Sequence, residues 1–508
     1  MGLLRDPRFG RPMASAPVFD YQSTFKAPAM DRTGRSADGW ARDATLRRGR
    51  ADIVIVGNGI AGCTAAIEAR RYAPDATITI VTEQSHPTIN TPALKQFGAG
   101  HLELGQLLAQ PPGVERRLGV GVVHQRVVAL DASAHELRLA SGQRLAYSRL
   151  LLATGSRPVN LSPLPGADFD GVITLHTLGD YLDLRRRLPT TTQAIVVGGG
   201  YHAAETALLL RQAGVAVTWL IRGRCVASTH LDVAASDQLI QESQRQGVEA
   251  RLETELAGVV GRVGVAVGAL TTEDEFIPGQ LIVAAIGVRP NTDLASGVAL
   301  PHALAPTQSG GFRVDRRLQT HIARIYAAGA LAAAPNPQTR AWETRSQWYF
   351  AFKQGRLAGA ALAGATIPEG AEVGAMGAFW HATRLGSLRV LTAGAPLLGG
   401  RHDTTHEVLT NRSGASYRRL TLREGRLVGY LATGVDLPSG LAIKRIIDEE
   451  MNVRDIADQL LGDDFDPQTV FTTRRIISLS ANDRRRSGEQ WRRSAQASAA
   501  SGGLRRIS

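Results

Sequence analysis

For a chain of 508 residues, this sequence has very few cysteines and lysines and no long apolar run. Its two cysteines, Cys63 and Cys225, have no partner at CxxC or CxxxxC spacing. That argues against a redox-active disulfide, a structural zinc site and an iron–sulfur cluster held by this chain alone. No apolar run reaches the ~18 residues that a membrane-spanning helix requires. The N-terminal stretch lacks the apolar core of a signal peptide, so the expected location is cytoplasmic. Only four lysines stand against 54 arginines, which makes any lysine inside a motif noticeable.

The formal net charge of +12 resembles a nucleic-acid signal, but its distribution argues otherwise. Residues 1–50 carry ten Lys/Arg against five Asp, and residues 484–508 carry seven Arg against Glu489. These two tails supply 11 of the 12 charges, so no specific nucleic-acid partner is expected of the remainder. Both tails are rich in Ser, Ala, Gly or Pro and lack apolar periodicity, which predicts disorder. Solvated tails of no specific role are the plain reading. The alternative is that Arg484-Arg485-Arg486 and Arg492-Arg493 attract an acidic partner or an anionic surface.

What the chain does have is two glycine fingerprints. The first, Gly57-Asn58-Gly59-Ile60-Ala61-Gly62, follows the apolar run Ile53-Val54-Ile55-Val56. The second, Gly198-Gly199-Gly200-Tyr201-His202-Ala203, follows Ala194-Ile195-Val196-Val197. In such a motif the first glycine makes the strand-to-helix turn, the second admits a pyrophosphate, and the third position lets helix and strand pack closely. The phosphates then sit on the unpaired N–H groups at the positive end of the helix dipole. A single fingerprint is weak evidence, and an acidic residue about 20 positions on strengthens it. The run Thr77-Ile78-Thr79-Ile80-Val81 predicts the second strand, ending near Glu83, 21 residues past Gly62 and placed to bind a ribose.

The pattern repeats. Residues 51–110 predict strand, Gly turn, helix and strand, and 120–150 alternate as a small antiparallel meander, with Val122-Val123, Val127-Val128 and Leu137-Arg138-Leu139. Leu150-Leu151-Leu152-Ala153-Thr154-Gly155 predicts a buried strand entering a glycine turn. Residues 190–290 follow the same plan and close with Leu281-Ile282-Val283-Ala284-Ala285-Ile286-Gly287. Two related domains are implied, not a short-repeat solenoid. Residues 341–365 look helical, and from about 366 a separate unit begins, with strand-like Leu388–Leu391, Tyr417–Leu422 and Leu427–Leu431.

Five ordered motifs together carry a resemblance. They are the first fingerprint, Ala153-Thr154-Gly155-Ser156-Arg157-Pro158, the second fingerprint through Glu205, Ala285-Ile286-Gly287-Val288-Arg289-Pro290-Asn291, and Tyr326-Ala327-Ala328-Gly329. On these the chain resembles the two-dinucleotide flavoproteins of the pyridine nucleotide–disulfide oxidoreductase superfamily over about residues 51–460. It is most similar to rubredoxin or ferredoxin reductases and to the flavoprotein module of NAD(P)H-dependent nitrite reductase. The implied fold class is α/β, with two Rossmann-like dinucleotide-binding domains plus an α+β C-terminal domain. The implied FAD domain is discontinuous, 51–165 and 288–365; the NAD(P)H domain is 166–287; the C-terminal domain is 366–480, between a tail at 1–50 and one at 481–508.

The resemblance implies FAD contacts for Gly57, Gly59, Ile60, Ala61, Gly62, Glu83, Val127, Ala153, Thr154, Gly155, Arg157 and Gly329, and a cofactor contact for Gly287. It implies nicotinamide-dinucleotide contacts for Gly198, Gly200, Tyr201, His202 and Ala203. Tyr201 matches an aromatic that covers the flavin until nicotinamide enters; a core tyrosine at a helix start is the alternative. Glu205 matches a glutamate paired with a lysine beside the flavin, for which the candidate is Lys95 in Pro92-Ala93-Leu94-Lys95. The related phrase is Tyr-x-Arg-Pro-x-Leu-Ser-Lys, so here Tyr and Arg are absent and the lysine comes one position early. A surface lysine is the alternative. The family's aspartate after Tyr-Ala-Ala-Gly is Ala330 here, a loss of about 1.5–3 kcal/mol of charge-assisted hydrogen bonding to FAD. After the second fingerprint, Val217–Ile221 ends in Arg222-Gly223-Arg224 with no carboxylate, which leans to NADPH over NADH through Arg222. An exposed arginine in an Arg-rich chain is the alternative.

These residues imply an NAD(P)H oxidoreductase that passes electrons through FAD to an external acceptor, such as a rubredoxin-, ferredoxin- or reductase-like iron protein, and that could form a homodimer. No metal site is expected in the chain. The rival readings are a flavoprotein reductase of a small molecule such as a quinone, and a degenerate flavin scaffold that binds partners.

Overall fold

The computed structural model describes residues 49–295, 310–336, 338–368, 377–399, 403–463, 465–466 and 470–471. Apart from Gly49 and Arg50, the expected basic tails lie outside these residues. The chain divides into two compact units, the first extending to Ala378 with Leu385–Ser387, the second comprising Phe379–Arg384 and the residues from Leu388 on.

The first unit opens with β1 (Arg50–Val56), α1 (Ile60–Tyr72), β2 (Ile78–Thr82), the short α2 (Leu94–Gly98), β3 (Gly121–His124), β4 (Val127–Asp131), β5 (Glu136–Leu139) and β6 (Arg144–Leu152). Then come β7 (Val172–Thr174), α3 (Leu178–Arg187), β8 (Gln193–Val197), α4 (Tyr201–Gln212), β9 (Ala216–Leu220), α5 (Val233–Arg245), β10 (Val248–Arg251) and β11 (Leu281–Ala284). It ends with β12 (Ile325–Ala327) and α6 (Trp348–Leu362).

β1 is a continuous apolar run, as a strand covered by helices on both faces must be. It lies between β2 and β6, and β2 carries β3 on its far side, all parallel. The outer edge of β6 is shared. Its first part, Arg144–Ala146, pairs antiparallel with β5, and its last, Leu150–Leu152, pairs parallel with β12. A strand near residue 325 therefore completes the sheet begun at residue 50. The meander expected at 120–150 holds for β4, β5 and β6. It does not hold for Val122-Val123, which pair in parallel with Ile80 and Val81 as the edge strand β3. So short an apolar run carries no information about its partner.

The second sheet runs β10-β9-β8-β11-β7, entirely parallel. Between β10 and β11 the chain inserts an antiparallel meander, Leu256–Arg262, Val265–Thr271 and Phe276–Pro278. The chain leaves and re-enters the first sheet through a two-stranded ribbon, Ser156–Pro158 against Val288–Pro290.

Glycine sets the closeness of α6 to α1. A Cβ at Gly355 or Gly359 would lie 2.5 Å from the carbonyl oxygens of Ala61 and Ala65 respectively, so the two helices touch through their backbones. Behind them Ile55, Ile80, Leu151, Ala327 and Ala358 are fully buried in one core.

The second unit is a five-stranded sheet, β13 (Trp380–Leu385), β14 (Leu388–Gly394), β15 (Glu407–Ser413), β16 (Ser416–Arg423) and β17 (Arg426–Gly434), in the order β13-β14-β17-β16-β15. The helix α7 (Gly440–Asp448) buries Ile443, Ile446 and Ile447. The α+β character expected of this part is present, though the compact unit starts at Phe379 and not near 366.

Candidate functional site

At the end of β1 the backbone turns at Gly57 with φ +108°, and a Cβ there would lie 2.3 Å from the carbonyl oxygen of Ala153. Gly62 is as tight, since its Cβ would meet the carbonyl oxygen of Gly57 at 2.0 Å. Gly59 differs. A Cβ at Gly59 meets nothing within 4 Å, and Gly59 caps α1 with no side-chain hydrogen bond. The first N–H groups of α1, including those of Ile60 and Ala61, have no partner within the helix. Such a helix start fits a pyrophosphate.

The second fingerprint repeats this geometry. Gly198 has φ +141°, and its Cβ would lie 2.3 Å from the carbonyl oxygen of Ala285. Gly200 borders open space and caps α4 without a side-chain bond. Ala203 takes the third position and is fully buried. The buried Trp219 indole donates to the carbonyl oxygen of Gly198 at 2.7 Å, pinning the turn.

Around the first turn, Gly57 N–H donates to Val81 at 2.8 Å, so Glu83, exposed just beyond β2, sits at the same end of the sheet. Gly329, with φ +80°, places its missing Cβ 3.2 Å from the Ala61 methyl, and its N–H donates to Gln354 Oε1 at 2.8 Å. The end of β12 therefore lies on the start of α1. Ala330, half-buried in the turn Gly329–Leu331, offers no acceptor side chain.

The motifs at 153–158 and 285–291 form one stitched piece. Thr154 Oγ1 donates to the Asn291 carbonyl at 2.9 Å, Asn291 Nδ2 donates back to Thr154 at 2.8 Å, and Asn291 N–H donates to Gly155 at 3.0 Å. Arg157 holds Asp293 with two bonds, 2.8 and 3.1 Å, and Asn291 Oδ1 at 3.0 Å, so its described partners are protein groups. Val127 has a buried side chain and pairs with Leu139 in the sheet. Gly287, at φ +114°, borders open space, and its carbonyl accepts from Val159 at 2.9 Å.

Lys95 lies on α2 and pairs with Glu205 on α4. What holds it there is packing. A Cβ at Gly98 would lie 2.7 Å from the Tyr181 ring, so only glycine lets α2 settle on α3, and Arg185 of α3 lies 4.6 Å over the Phe97 ring. Burial pushes the Lys95 ammonium down to about 8, while the Glu205 carboxylate favours the charged form. The lysine one position early in its motif thus still meets the glutamate.

Tyr201 opens α4, its ring 6.2 Å from that of His230. His202 follows, with Nε2 2.9 Å from the Leu175 carbonyl. Burial, then the Lys95 charge, lower its pKa to about 4.

Arg222 is 79% exposed and 3.7 Å from Glu255, while Arg224 pairs with Glu253 at 2.8 Å. The sequence pattern has no carboxylate after β9, but Glu253 and Glu255 bring two from the turn after β10. Ion pairs this exposed contribute little, and a phosphate can displace them.

Asn58 and Gln354 brace the two turns through bonds that the fingerprints alone do not reveal. Asn58 Nδ2 donates to Glu115 at 3.2 Å and its carbonyl accepts from Thr88 Oγ1 at 2.9 Å, tying the first turn to the segment that leads to Lys95. Cys63 is buried beside Thr88, and burial raises its thiol pKa to about 11, the mark of an inert cysteine. Among the described residues no cluster of His, Cys, Asp and Glu could hold a metal, and no helix is long and apolar enough to cross a membrane.

The sequence profile of the pyridine nucleotide-disulphide oxidoreductases matches residues 51–355. A protein described as a probable ferredoxin reductase, from Castellaniella defragrans, is 31% identical over 350 residues, covering 68% of this chain and 82% of that one. The rubredoxin-NAD(+) reductase of Ectopseudomonas oleovorans is 29% identical over 56% of this chain and 73% of its own length. Among solved structures, the ferredoxin reductase for the CYP199A2 system from Rhodopseudomonas palustris has the same fold, with a TM-score of 0.71 at 22% identity, over 82% of this chain and 99% of that one.

Proposed function

The chain belongs to the pyridine nucleotide-disulphide oxidoreductase family, and we propose that within it the protein is an FAD-dependent NAD(P)H oxidoreductase delivering electrons to an external iron-containing protein of the ferredoxin or rubredoxin kind. The observation that carries the reading is the ion pair of Lys95 and Glu205 together with two glycine turns of the same geometry. Ferredoxin and rubredoxin reductases among the relatives support the choice of acceptor.

In this reading the start of α1, with Gly57, Gly59, Ile60, Ala61 and Gly62, holds the FAD pyrophosphate, and Gly329 closes over it. Glu83 accepts hydrogen bonds from the adenine ribose. Thr154 and Gly155, braced by Asn291 and Arg157, wall the ring side. When bound, FAD supplies a ring that accepts hydride and releases electrons singly. Gly198, Gly200 and Ala203 receive the pyrophosphate of NAD(P)H on α4. Lys95 sets a positive charge where negative charge accumulates on reduction, and Glu205 keeps that lysine oriented and protonated. Tyr201 covers the ring face from α4. Ala330 removes one acceptor, which leaves FAD held by the pyrophosphate and ribose contacts.

Cys63 is sealed and Cys225 is remote in sequence, so the electrons leave for another molecule and not for a disulfide of this chain. Arg222 and Arg224 favour NADPH, since a guanidinium binds a 2′-phosphate bidentately. A cytoplasmic location and a homodimer belong to the same proposal and rest on the sequence reading alone. The test offers the reduced protein a [2Fe–2S] ferredoxin, a rubredoxin and a soluble quinone. Faster reduction of an iron protein supports the reading; faster reduction of the quinone moves the protein to the small-molecule reductases.

A further inference from the structure

His202 is the second residue of α4, between Tyr201 and the Glu205 that pairs with Lys95. Its Nε2 is 2.9 Å from the carbonyl oxygen of Leu175. A carbonyl only accepts, so Nε2 carries the proton and Nδ1 keeps a bare lone pair. No described residue donates to Nδ1. The tautomer is locked from the outside, because Leu175 sits in the connection between β7 and α3. The result is a rigid neutral acceptor on the first turn of α4, beside the Lys95–Glu205 pair.

We propose that His202 Nδ1 accepts a hydrogen bond from the carboxamide N–H of the nicotinamide ring, so that His202 selects dinucleotides carrying an amide. This rests on the reading of α4 as the nicotinamide dinucleotide site. The chemistry is specific. The carboxamide carries the only N–H donor on the nicotinamide ring. An acceptor with a fixed lone pair matches that donor and rejects a ketone or a carboxylate, which would set acceptor against acceptor. Burial, then the neighbouring Lys95 charge, keeps the imidazole neutral near neutral pH, so the acceptor persists across the working range. The bond also fixes the rotation of the ring in the cleft, and with it the hydride presented to the far side.

The test is an equilibrium titration of the flavin-loaded full chain with NAD⁺ and NADP⁺, each against its 3-acetylpyridine analogue, in which a methyl ketone replaces the amide. The expected result is about tenfold tighter binding of the natural dinucleotide, the effect of roughly one hydrogen bond to a buried acceptor. His202→Leu is expected to erase that preference by weakening the natural dinucleotide alone, and His202→Gln, which restores an acceptor, to recover part of it. Equal binding of amide and ketone by the unaltered protein overturns the inference and leaves the dinucleotide reading intact. So does a His202→Leu protein that weakens both ligands alike or neither. Failure of all four dinucleotides to bind overturns the dinucleotide reading and this inference with it.

Discussion

Lys95 and Glu205, 110 positions apart in the chain, meet as an ion pair that joins a helix following the first Rossmann strand pair to the helix of the second fingerprint. Lys95 is on α2, after β2 of the first sheet, and Glu205 is on α4, after β8 of the second.

Replacing Lys95 by Met removes one fixed positive charge. The limiting rate of anaerobic flavin reduction, followed by stopped flow, is expected to fall about tenfold to a hundredfold, as for loss of one preorganised stabilising group. Glu205→Gln is expected to lower the same rate less. Unchanged rates in both variants would remove the pair from the mechanism.

Burial lowers the Lys95 pKa from 10.5 to about 8. The protonated form is the stabilising one, so flavin reduction is expected to slow as pH rises through about 8. In Glu205→Gln the carboxylate that favours the ammonium is gone, and the midpoint is expected to move lower. His202, at about 4, stays neutral throughout that range and adds no second limb above pH 5. A profile flat from pH 6 to about 10 contradicts this assignment.

Gly57→Ala and Gly59→Ala separate fold from cofactor. At Gly57 the added carbon would clash with Ala153 at 2.3 Å in a left-handed conformation, so the thermal midpoint is expected to drop by several degrees. At Gly59 it meets no protein atom. The cofactor-free protein should melt unchanged while its FAD affinity, measured by fluorescence titration, falls at least about tenfold. Unaltered FAD affinity in Gly59→Ala would mean that the open face of α1 belongs to something else.

How much of this was legible in the sequence varies by range. The glycine turns and Glu83 were legible because strand, turn and acidic residue fall within one local unit of chain. The two-sheet plan followed from its repetition. The pairing of Lys95 with Glu205 came from resemblance, and its physical basis, Gly98 against Tyr181 and Phe97 under Arg185, has no local signature. Asn58 with Thr88 and Glu115, and Gln354 with Gly329, are side-chain bonds between segments far apart, and no periodicity marks them. Val122-Val123 carried strand character but no clue to a parallel partner. Glu253 and Glu255 reach the arginines only because β10 lies beside β9.

Those arginines make a separate prediction. Arg222→Ala with Arg224→Ala is expected to weaken NADPH about tenfold and leave NADH within about twofold, through loss of a phosphate contact. Steady-state comparison of the two nucleotides reads this directly. A double variant that weakens both equally would place the arginines outside the ribose site.

The central claim is that one chain binds both a flavin and a nicotinamide dinucleotide and moves electrons between them. The most direct measurement is an anaerobic titration of the FAD-reconstituted protein with NADPH and with NADH, watching the visible absorption of the flavin. The account predicts bleaching by at least one of the two at about one nucleotide per flavin. A protein that stays colourless after reconstitution, or stays yellow with both nucleotides, would contradict it.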